Sequence, residues 1–256
     1  MAKFKIFSAE PAGRAPLYSL KKEADKGRGY AEPRIFLCGD TGVSVEFGDE
    51  IDPGINRQVH RLHKRLKTGL YPGIIDVGPA YCSLFIRYDP WICSLEKLLC
   101  IIEDNLAGPD GIDEGPERIV EVPVCYGGEF GPDIGEVAGF HGIDADEVAA
   151  LHAAPLYHVY MIGFILGFPY LGGLDPRLHT ARKTGPAKGV PAGSVGIADH
   201  QTGIYPVVSP AGWWILGMTP LKVFDLRRKQ PFLFEPGDGV RLKQITREEF
   251  ESDKDH

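Results

Sequence analysis

The sequence predicts an α+β protein of two domains, an N-terminal ββαββα sandwich followed by a β-barrel. The chain has 256 residues, which is enough for two domains of ordinary size. Its first part alternates strand-like and helix-like patterns, whereas the part after Tyr157 consists of short apolar runs separated by Gly and Pro. Between the two parts lies AGPDGIDEGPE, residues 107–117, whose Gly, Pro and acidic residues are typical of a linker.

The first domain is expected over residues 34–110, after an arm of residues 1–33. The arm is rich in Pro, Gly, Ala and Lys and has little periodicity, which is typical of a flexible segment. RIFLCGD and TGVSVEFGD then predict two strands joined by a tight Gly-Asp-Thr-Gly turn. Two more strands are predicted near residues 74–77 and 82–87.

Two helices complete the first domain. Asp52 suits the N-cap of the first helix and Pro53 its first turn, and Gly69 ends it. Ser94 suits the N-cap of the second helix. Each helix has one apolar face at helical spacing: Ile55, Val59, Leu62 and Leu66 in the first, and Leu95, Leu98, Leu99, Ile102 and Leu106 in the second. Both helices are therefore expected to pack on one face of an antiparallel sheet.

The second domain is expected over residues 118–246. RIVEVPVCY predicts its first strand, and two short helices follow near 134–140 and 145–153. Asp144 and Glu147 form a capping-box pattern at the start of the second of these helices. Six apolar runs then predict short strands of a barrel or closed sandwich: YHVYMIGFI, GSVGIA, TGIYPVV, WWILGM, LKVFDL and VRLKQI. The last residues, 247–256, predict a charged and frayed tail.

Composition excludes several classes of partner. The formal net charge is −7 and the isoelectric point is near 5.6, which argues against sequence-independent binding to nucleic acid and against docking on an anionic membrane. No stretch approaches the roughly 18 apolar residues that span a bilayer, and the start, MAKFKIF, does not resemble a signal peptide. The five cysteines lack CxxC spacing, which predicts reduced, mostly buried thiols in a cytosolic protein and no zinc site or redox pair.

Known catalytic motifs are missing or incomplete. The sequence has no GxxxxGK[ST] phosphate loop, no GxGxxG after a strand and no protein-kinase signature. Ser194 lies in AGSVG, close to the G-x-S-x-G nucleophile motif, but a strand pattern follows it where that motif needs a helix, so a tight turn is preferred. His60 and His63 have a spacing that suits metal binding, but the basic residues around them favour a solvated helix face.

One segment carries the candidate binding groove. The loop DPRLHTARKTGPAKG contains four cations, and it is either an exposed flexible loop or a site for a carboxylate or phosphate: Arg177, Arg182, Lys183 and Lys188. The preceding aromatic residues form either core or the wall of a pocket: Phe164, Phe168 and Tyr170. Further hydrogen-bonding groups either face this groove or serve ordinary barrel packing: Gln201, Thr202 and Tyr205. No complete set of acid, base and nucleophile emerges.

Two long motifs, GFILGFPYLGGLDPRL and VPAGSVGIADHQTGIYPVVSPAGWWILGMTP, resemble a known family. It includes the B subunit of bacterial 5-oxoprolinase (PxpB) and the sporulation-kinase inhibitor KipI, and is also called allophanate hydrolase subunit 1 or the carboxyltransferase C/D subdomain. The resemblance extends from about Arg34 to about Ile245 and implies a cyclophilin-like β-barrel for the second domain. The chain departs from the family pattern at Leu166, Ala181 and the pair Asp199-His200.

The resemblance implies a shared active site. The family's B subunit works with a C subunit (PxpC/KipA-like) and an A subunit (LamB/YcsF-like) to convert 5-oxoproline into glutamate with ATP hydrolysis. ATP is then expected to bind together with the partner subunit, and no metal or biotin is expected on this chain. Alternatives within the family are a KipI-like inhibitor of a sensor histidine kinase and a component of a biotin-dependent urea carboxylase that receives biotin on another chain.

The resemblance also gives the candidate residues their expected roles. The cations of the loop would bind anionic groups of the substrate or nucleotide: Arg182, Lys183 and Lys188. The hydrogen-bonding residues would orient the ligand: Gln201, Thr202 and Tyr205. Tyr170 and Asp175 would line or shape the groove. Cations near a phosphoryl group suit this chemistry, because a lactam amide is a poor electrophile until its oxygen is phosphorylated.

Overall fold

The structure is a computed structural model, and it describes residues 29–108, 116, 118–184 and 189–253, together with the backbone of residues 6–8. The chain divides into two compact units, Met1–Asp113 and Glu114–His256. The division falls inside the segment predicted as a linker, residues 107–117. Within the described part of the chain, no helix has the length and apolar character that crossing a membrane requires.

The first unit is built on a five-stranded sheet in the order β1-β2-β3-β5-β4. Its strands are β1 (Ile6–Ser8), β2 (Arg34–Leu37), β3 (Gly42–Glu46), β4 (Ile74–Pro79) and β5 (Ser83–Tyr88). β1 runs parallel to β2, and the other neighbours are antiparallel. The ββαββα order predicted from residue 34 onward is confirmed. β1 lies within the predicted arm, where the sequence predicts no strand.

Two helices, α1 (Pro53–Thr68) and α2 (Leu95–Leu106), cover one face of this sheet. Both predicted caps form: the Asp52 carboxylate accepts from the Ile55 amide at 2.9 Å, and the Ser94 hydroxyl accepts from the Lys97 amide at 3.3 Å. The apolar faces of both helices share one core with strand residues: Ile55, Val59, Leu62, Leu66, Leu98 and Ile102 pack with Ile35, Val43, Val45, Leu84 and Ile86. The α+β sandwich prediction is therefore confirmed.

The second unit contains a closed seven-stranded barrel in the order β10-β11-β8-β7-β14-β6-β13. Its strands are β6 (Ile119–Tyr126), β7 (Leu156–Gly163), β8 (Phe168–Gly172), β10 (Ser194–Ala198), β11 (Gln201–Ile204), β13 (Trp214–Met218) and β14 (Gly239–Gln244). A separate pair is formed by β9 (Gly189–Val190) and β12 (Ser209–Pro210). β6 and β14 are parallel, so the barrel is mixed.

Short helices connect these strands. They are α3 (Ile134–His141), α4 (Ala145–Ala153), the 3-10 turn Pro176–Leu178 and α5 (Arg247–Asp253). The Asp144 carboxylate caps α4 by accepting from the Glu147 amide at 2.7 Å, as predicted. Residues of α3 and α4 share one core with the barrel strands, and this core includes Val137, Val148, Val195, Ile204 and Leu216.

Three local predictions are wrong. LKVFDL forms no strand, because the Asp225 carboxylate caps a turn by accepting from the Arg227 amide and guanidinium at 2.7–3.0 Å. The predicted frayed tail begins with α5, whose N-terminus has a reciprocal cap between Thr246 and Glu249. Phe250 anchors α5 in a buried contact with Phe130, with ring centroids 4.5 Å apart.

The third wrong prediction concerns the thiols. All five cysteines are free, as expected for reduced thiols. Only Cys93 and Cys125 are buried, whereas Cys38 and Cys100 are exposed and Cys82 is half-buried. The thiols are therefore not mostly buried.

Candidate functional site

A cleft of about 620 Å³ opens on the surface of the second unit. Its walls come from α3, from the segment that follows the 3-10 turn, and from the start of β13. The lining residues are Glu136, Phe140, Thr180, Ala181, Arg182, Lys183, Thr184 and Trp214. The volume lies in the range of small-molecule sites.

Hydrogen bonds fix the floor and one wall of the cleft. The Trp214 indole N–H donates to the Ala181 carbonyl at 2.7 Å, which ties β13 to residues 180–184. The edge of Phe140 meets Trp214 with ring centroids 5.2 Å apart. Thr180 donates its hydroxyl to the Leu178 carbonyl, so His141 Nε2, which lies 2.9 Å from the Thr180 oxygen, must carry the proton and donate. The cleft therefore has an aromatic floor, tied to residues 180–184 by a hydrogen bond, beside polar edges.

Lys183, one of the predicted anion-binding residues, is held by a carboxylate. Its ammonium lies 2.6 Å from Asp133 Oδ2 and 4.9 Å from the ring centroid of Trp214. The same carboxylate oxygen accepts from the Ile215 amide at 2.6 Å. Because Asp133 neutralises it, Lys183 contributes little net charge to the cleft.

We expect Asp133→Ala to reduce the free energy of unfolding of the second unit by about 2 kcal/mol, because the Ile215 amide and the half-buried Lys183 both lose their acceptor. Urea unfolding followed by tryptophan fluorescence measures this loss. Glu129→Ala is the matched control, since it removes an exposed ion pair with Arg247 and is expected to cost at most about 0.5 kcal/mol. Equal losses in the two variants would show that Asp133 has no special structural role.

Arg182 differs from Lys183 in its surroundings. Its side chain is exposed, and no ion pair or hydrogen bond holds its guanidinium among the residues that the structure describes. The guanidinium carbon lies 5.9 Å from the ring centroid of Trp213. Arg182 also lies close enough to Tyr170 and Tyr205 to oppose the rise in their phenol pKa values. A guanidinium in this state is available to an anionic ligand.

Tyr170 and Tyr205 belong to an aromatic cluster with Phe168 and Trp213. Phe168 lies at its centre, with ring centroids 4.9 Å from Tyr170, 5.0 Å from Tyr205 and 5.4 Å from Trp213. Burial raises the pKa of Tyr205 to about 12 and raises the pKa of half-buried Tyr170. Both phenols are therefore neutral at physiological pH, and Tyr170 has the more accessible ring.

Thr202 lies inside the barrel and does not line the cleft. It is fully buried and donates its hydroxyl to the Gly196 carbonyl at 2.9 Å. Its oxygen then accepts from His152 Nε2 at 2.8 Å, and His152 Nδ1 accepts from the Tyr126 hydroxyl at 2.7 Å. This chain of hydrogen bonds satisfies the polar groups of the barrel interior, so its role is structural, and the expected ligand contact of Thr202 has no support in this geometry.

The remaining predicted site residues, Asp175, Gln201 and Lys188, are not among the described residues that line the cleft. The Asp175 carboxylate caps the 3-10 turn and binds the Arg177 guanidinium at 2.8 and 3.1 Å, which holds the pKa of Asp175 below its usual range. Gln201 begins β11 and pairs with Ala198 and Gly172 in the barrel wall. Lys188 lies outside the described residues. Of the eight predicted site residues, the cleft brings together Arg182 and Lys183, with Tyr170 and Tyr205 near Arg182.

The other residues singled out in the sequence are structural. Ser194 is fully buried at the start of β10, and a strand follows it, which agrees with the preferred tight turn. The prediction of a solvated helix face is wrong for His63, which is half-buried on α1, and burial lowers its pKa to about 4. Asp199 occupies the β10–β11 turn with φ +53°, a conformation that Asp tolerates. Among the described residues, no three His, Cys, Asp or Glu side chains group closely enough to hold a metal ion.

Several cleft residues lie outside the set predicted from the sequence. Glu136 and Phe140 lie one turn apart on α3, so a helical projection shows them on the same face, away from the buried residues Ile134 and Val137. In the sequence, the only indication of Glu136 and Phe140 as site residues is that an aromatic residue follows a carboxylate by four positions on the exposed face of α3. Asp133 gives no such signal, because its partners Lys183 and Ile215 are distant in sequence.

The sequence matches known proteins over most of its length. The family described as carboxyltransferase domain, subdomains C and D, matches residues 33–234. The 5-oxoprolinase B subunit of Bacillus subtilis (strain 168) is 40% identical over 232 residues, which are 87% of this chain and 97% of that protein. The 5-oxoprolinase B subunit of Escherichia coli O157:H7 is 38% identical over 213 residues, or 82% of this chain and 94% of that protein.

Solved structures show the same fold. The crystal structure of TTHA0988 aligns with a TM-score of 0.73 at 40% identity, over 80% of this chain and 40% of that one, so this chain spans less than half of that protein. PH0987 from Pyrococcus horikoshii, a conserved uncharacterized protein, aligns with a TM-score of 0.51 at 41% identity, over 84% of this chain and 99% of that one. The similarity therefore covers most of the chain in both sequence and structure.

Proposed function

The chain belongs to the carboxyltransferase C and D subdomain family and groups with its 5-oxoprolinase B subunits, and from this premise we propose that it is the B subunit of an ATP-dependent 5-oxoprolinase. The observation that carries the proposal is the 40% identity over 97% of the length of the Bacillus subtilis B subunit. A correspondence of that extent leaves no large part of that protein without a counterpart in this chain.

The composition of the cleft supports a protein that shares its active site with a partner. Arg182 and the aromatic cluster provide binding groups. Thr180 lies beside His141, but its hydroxyl donates to the Leu178 carbonyl and His141 Nε2 carries the proton, so no nucleophile with an available base lies among the described cleft residues. We therefore propose that two partner proteins complete the enzyme, a C subunit (PxpC/KipA-like) and an A subunit (LamB/YcsF-like). The partner contributes most of the ATP-binding groups in this arrangement.

Within the site, we propose that Arg182 is the main anion-binding residue and that Lys183, held by Asp133, positions the cleft wall. Tyr170 and Tyr205 shape the side next to Arg182. The role of Gln201 in orienting the ligand stays a prediction, and so does anion binding by Lys188, which lies outside the described residues and is not counted among the groups of the cleft. Thr202 and Asp175 act through the fold, because each is engaged in the local hydrogen bonds described above.

Reconstitution tests this function. The chain is combined with its partner C and A subunits, and glutamate and ADP are measured with 5-oxoproline and ATP. We expect both products from the complete mixture and neither from this chain alone, because its described cleft residues do not form a complete catalytic set. A stable complex that consumes no ATP with 5-oxoproline would exclude this substrate.

The same experiment addresses the alternatives. The roles of a histidine-kinase inhibitor and of a component of a biotin-dependent urea carboxylase stay predictions. Turnover without biotin in the mixture would separate the 5-oxoprolinase from the carboxylase.

A further inference from the structure

Among the residues that the structure describes, the charged groups of the cleft and of its ion pair sum to zero. The lining has two cations, Arg182 and Lys183, and one carboxylate, Glu136. A second carboxylate, Asp133, lies outside the lining and forms an ion pair with Lys183. Sites for a nucleoside triphosphate gather an excess of positive charge, a metal ion or a ring of backbone amides around the phosphates. The described residues of this cleft offer no such excess, so the cleft is poorly suited to a polyphosphate.

A single negative charge fits the cleft much better. Lys183 is neutralised by Asp133 at 2.6 Å, whereas Arg182 has no carboxylate partner among the described residues. The planar guanidinium of Arg182 matches a carboxylate, to which it can donate two parallel N–H bonds. One available guanidinium therefore selects a ligand with one carboxylate.

The other lining groups match the remainder of a cyclic amide. Glu136 is exposed in the cleft and accepts hydrogen bonds, as a lactam N–H requires. The hydroxyl of Thr184, which also belongs to the lining, is a donor of the kind that a lactam carbonyl accepts. Trp214 and Phe140 offer apolar surface to the ring carbons. The described lining thus presents one cation without a carboxylate partner (Arg182), one carboxylate acceptor (Glu136), the Thr184 hydroxyl and an aromatic floor within a single cleft.

We infer that this cleft is the binding site for the lactam substrate, with Arg182 on its carboxylate and Glu136 on its ring N–H, and that the phosphates of ATP bind outside it. This inference rests on the proposed function. It adds that the lactam substrate and the phosphates of ATP bind to different surfaces of the enzyme. It makes Glu136, which is not among the residues predicted from the sequence, a specificity-determining residue.

Steady-state kinetics of the reconstituted complex test the inference. The variants are Arg182→Gln and Glu136→Ala, and the matched controls are Arg241→Gln on β14 and Glu129→Ala, both outside the cleft lining. Each complex is assayed for the KM for the lactam substrate, the KM for ATP and the inhibition constant for 2-pyrrolidinone, the same lactam ring without its carboxylate. Purification of each complex at the wild-type stoichiometry shows that the variant folds and assembles.

Each variant has its own expected pattern. Arg182→Gln raises the KM for the lactam substrate by on the order of tenfold or more and leaves the inhibition constant for 2-pyrrolidinone within about twofold, because only the carboxylate contact is lost. Glu136→Ala weakens both ligands by similar factors, because both carry the lactam N–H. The KM for ATP stays within about twofold in both variants, and the controls change none of the three constants.

Other results would overturn the inference. A rise in the KM for ATP in Arg182→Gln with the KM for the lactam substrate unchanged would place the nucleotide in the cleft. Unchanged constants in both variants would place both substrates elsewhere, while turnover by the complex would still support the proposed function. Absence of turnover in the wild-type complex would instead reject the proposed function, and the inference with it.

Discussion

Gly131→Ala is expected to destabilise the second unit by more than about 4 kcal/mol, a large part of the stability of an ordinary domain. A Cβ atom at this position would lie 1.8 Å from the Leu216 carbonyl oxygen and 2.7 Å from the Gly127 amide nitrogen. Those two atoms are joined by a hydrogen bond of 3.0 Å that links the end of β6 to β13. Both obstacles are backbone atoms, so no side-chain rotation relieves the overlap, and the barrel must open locally.

Gly139→Ala is the matched control in the same unit. Gly139 lies inside α3, and a Cβ atom there would have no neighbour within 4 Å. Because alanine reduces the backbone entropy lost on helix formation, this variant is expected to be more stable by about 0.5–1 kcal/mol.

Urea unfolding followed by tryptophan fluorescence measures both glycine changes. Trp213 and Trp214 are buried in the second unit, whereas Trp91 of the first unit is 95% exposed and changes little on unfolding. A Gly131→Ala protein with wild-type stability would show that residues 127–131 and 215–217 are not in this close contact in solution.

The second large effect is a decrease in the free energy of unfolding at acidic pH, which is caused by the protonation of His152 in the unfolded chain. This side chain is fully buried between Tyr126 and Thr202, and burial lowers its pKa from 6.5 to about 3. Between these pH values the unfolded chain binds a proton that the folded barrel does not, so stability is complete above pH 6.5 and falls as the pH falls. At pH 4.5, two units below the unfolded pKa, the expected loss is about 3 kcal/mol relative to pH 8.

His152→Gln isolates this contribution. Glutamine keeps a donor and an acceptor for Thr202 and Tyr126 but does not titrate, so we expect a flatter dependence of the free energy of unfolding on pH. His63 on α1, whose pKa is also lowered, to about 4, remains in both proteins and belongs to the first unit. The difference between the two pH profiles, measured by the same fluorescence assay, therefore reports His152. Parallel profiles for the two proteins would contradict the assignment.

Much of the fold could be predicted because local patterns specify it. The α1 and α2 caps, the apolar faces of both helices and the start of α4 all depend on residues a few positions apart. The same local rules would also predict α5, because the Thr246–Glu249 pair is a capping box within a run of charged residues. The strand prediction for LKVFDL is wrong because Asp225 and Arg227 stabilise a turn more strongly than their apolar neighbours favour a strand.

By itself, the sequence determined the two-part α+β architecture, the ββαββα order, the barrel and the family, because periodicity, caps and long ordered motifs are properties of neighbouring residues. Only the tertiary structure decided the site. It showed that Asp133 neutralises Lys183, that Thr202 faces the barrel interior, and that Glu136 and Arg182 share one cleft. These facts depend on contacts between residues about 50 positions apart in sequence. The physical reason is that closure of the barrel decides which side of each strand faces the core and which cation lies next to a carboxylate.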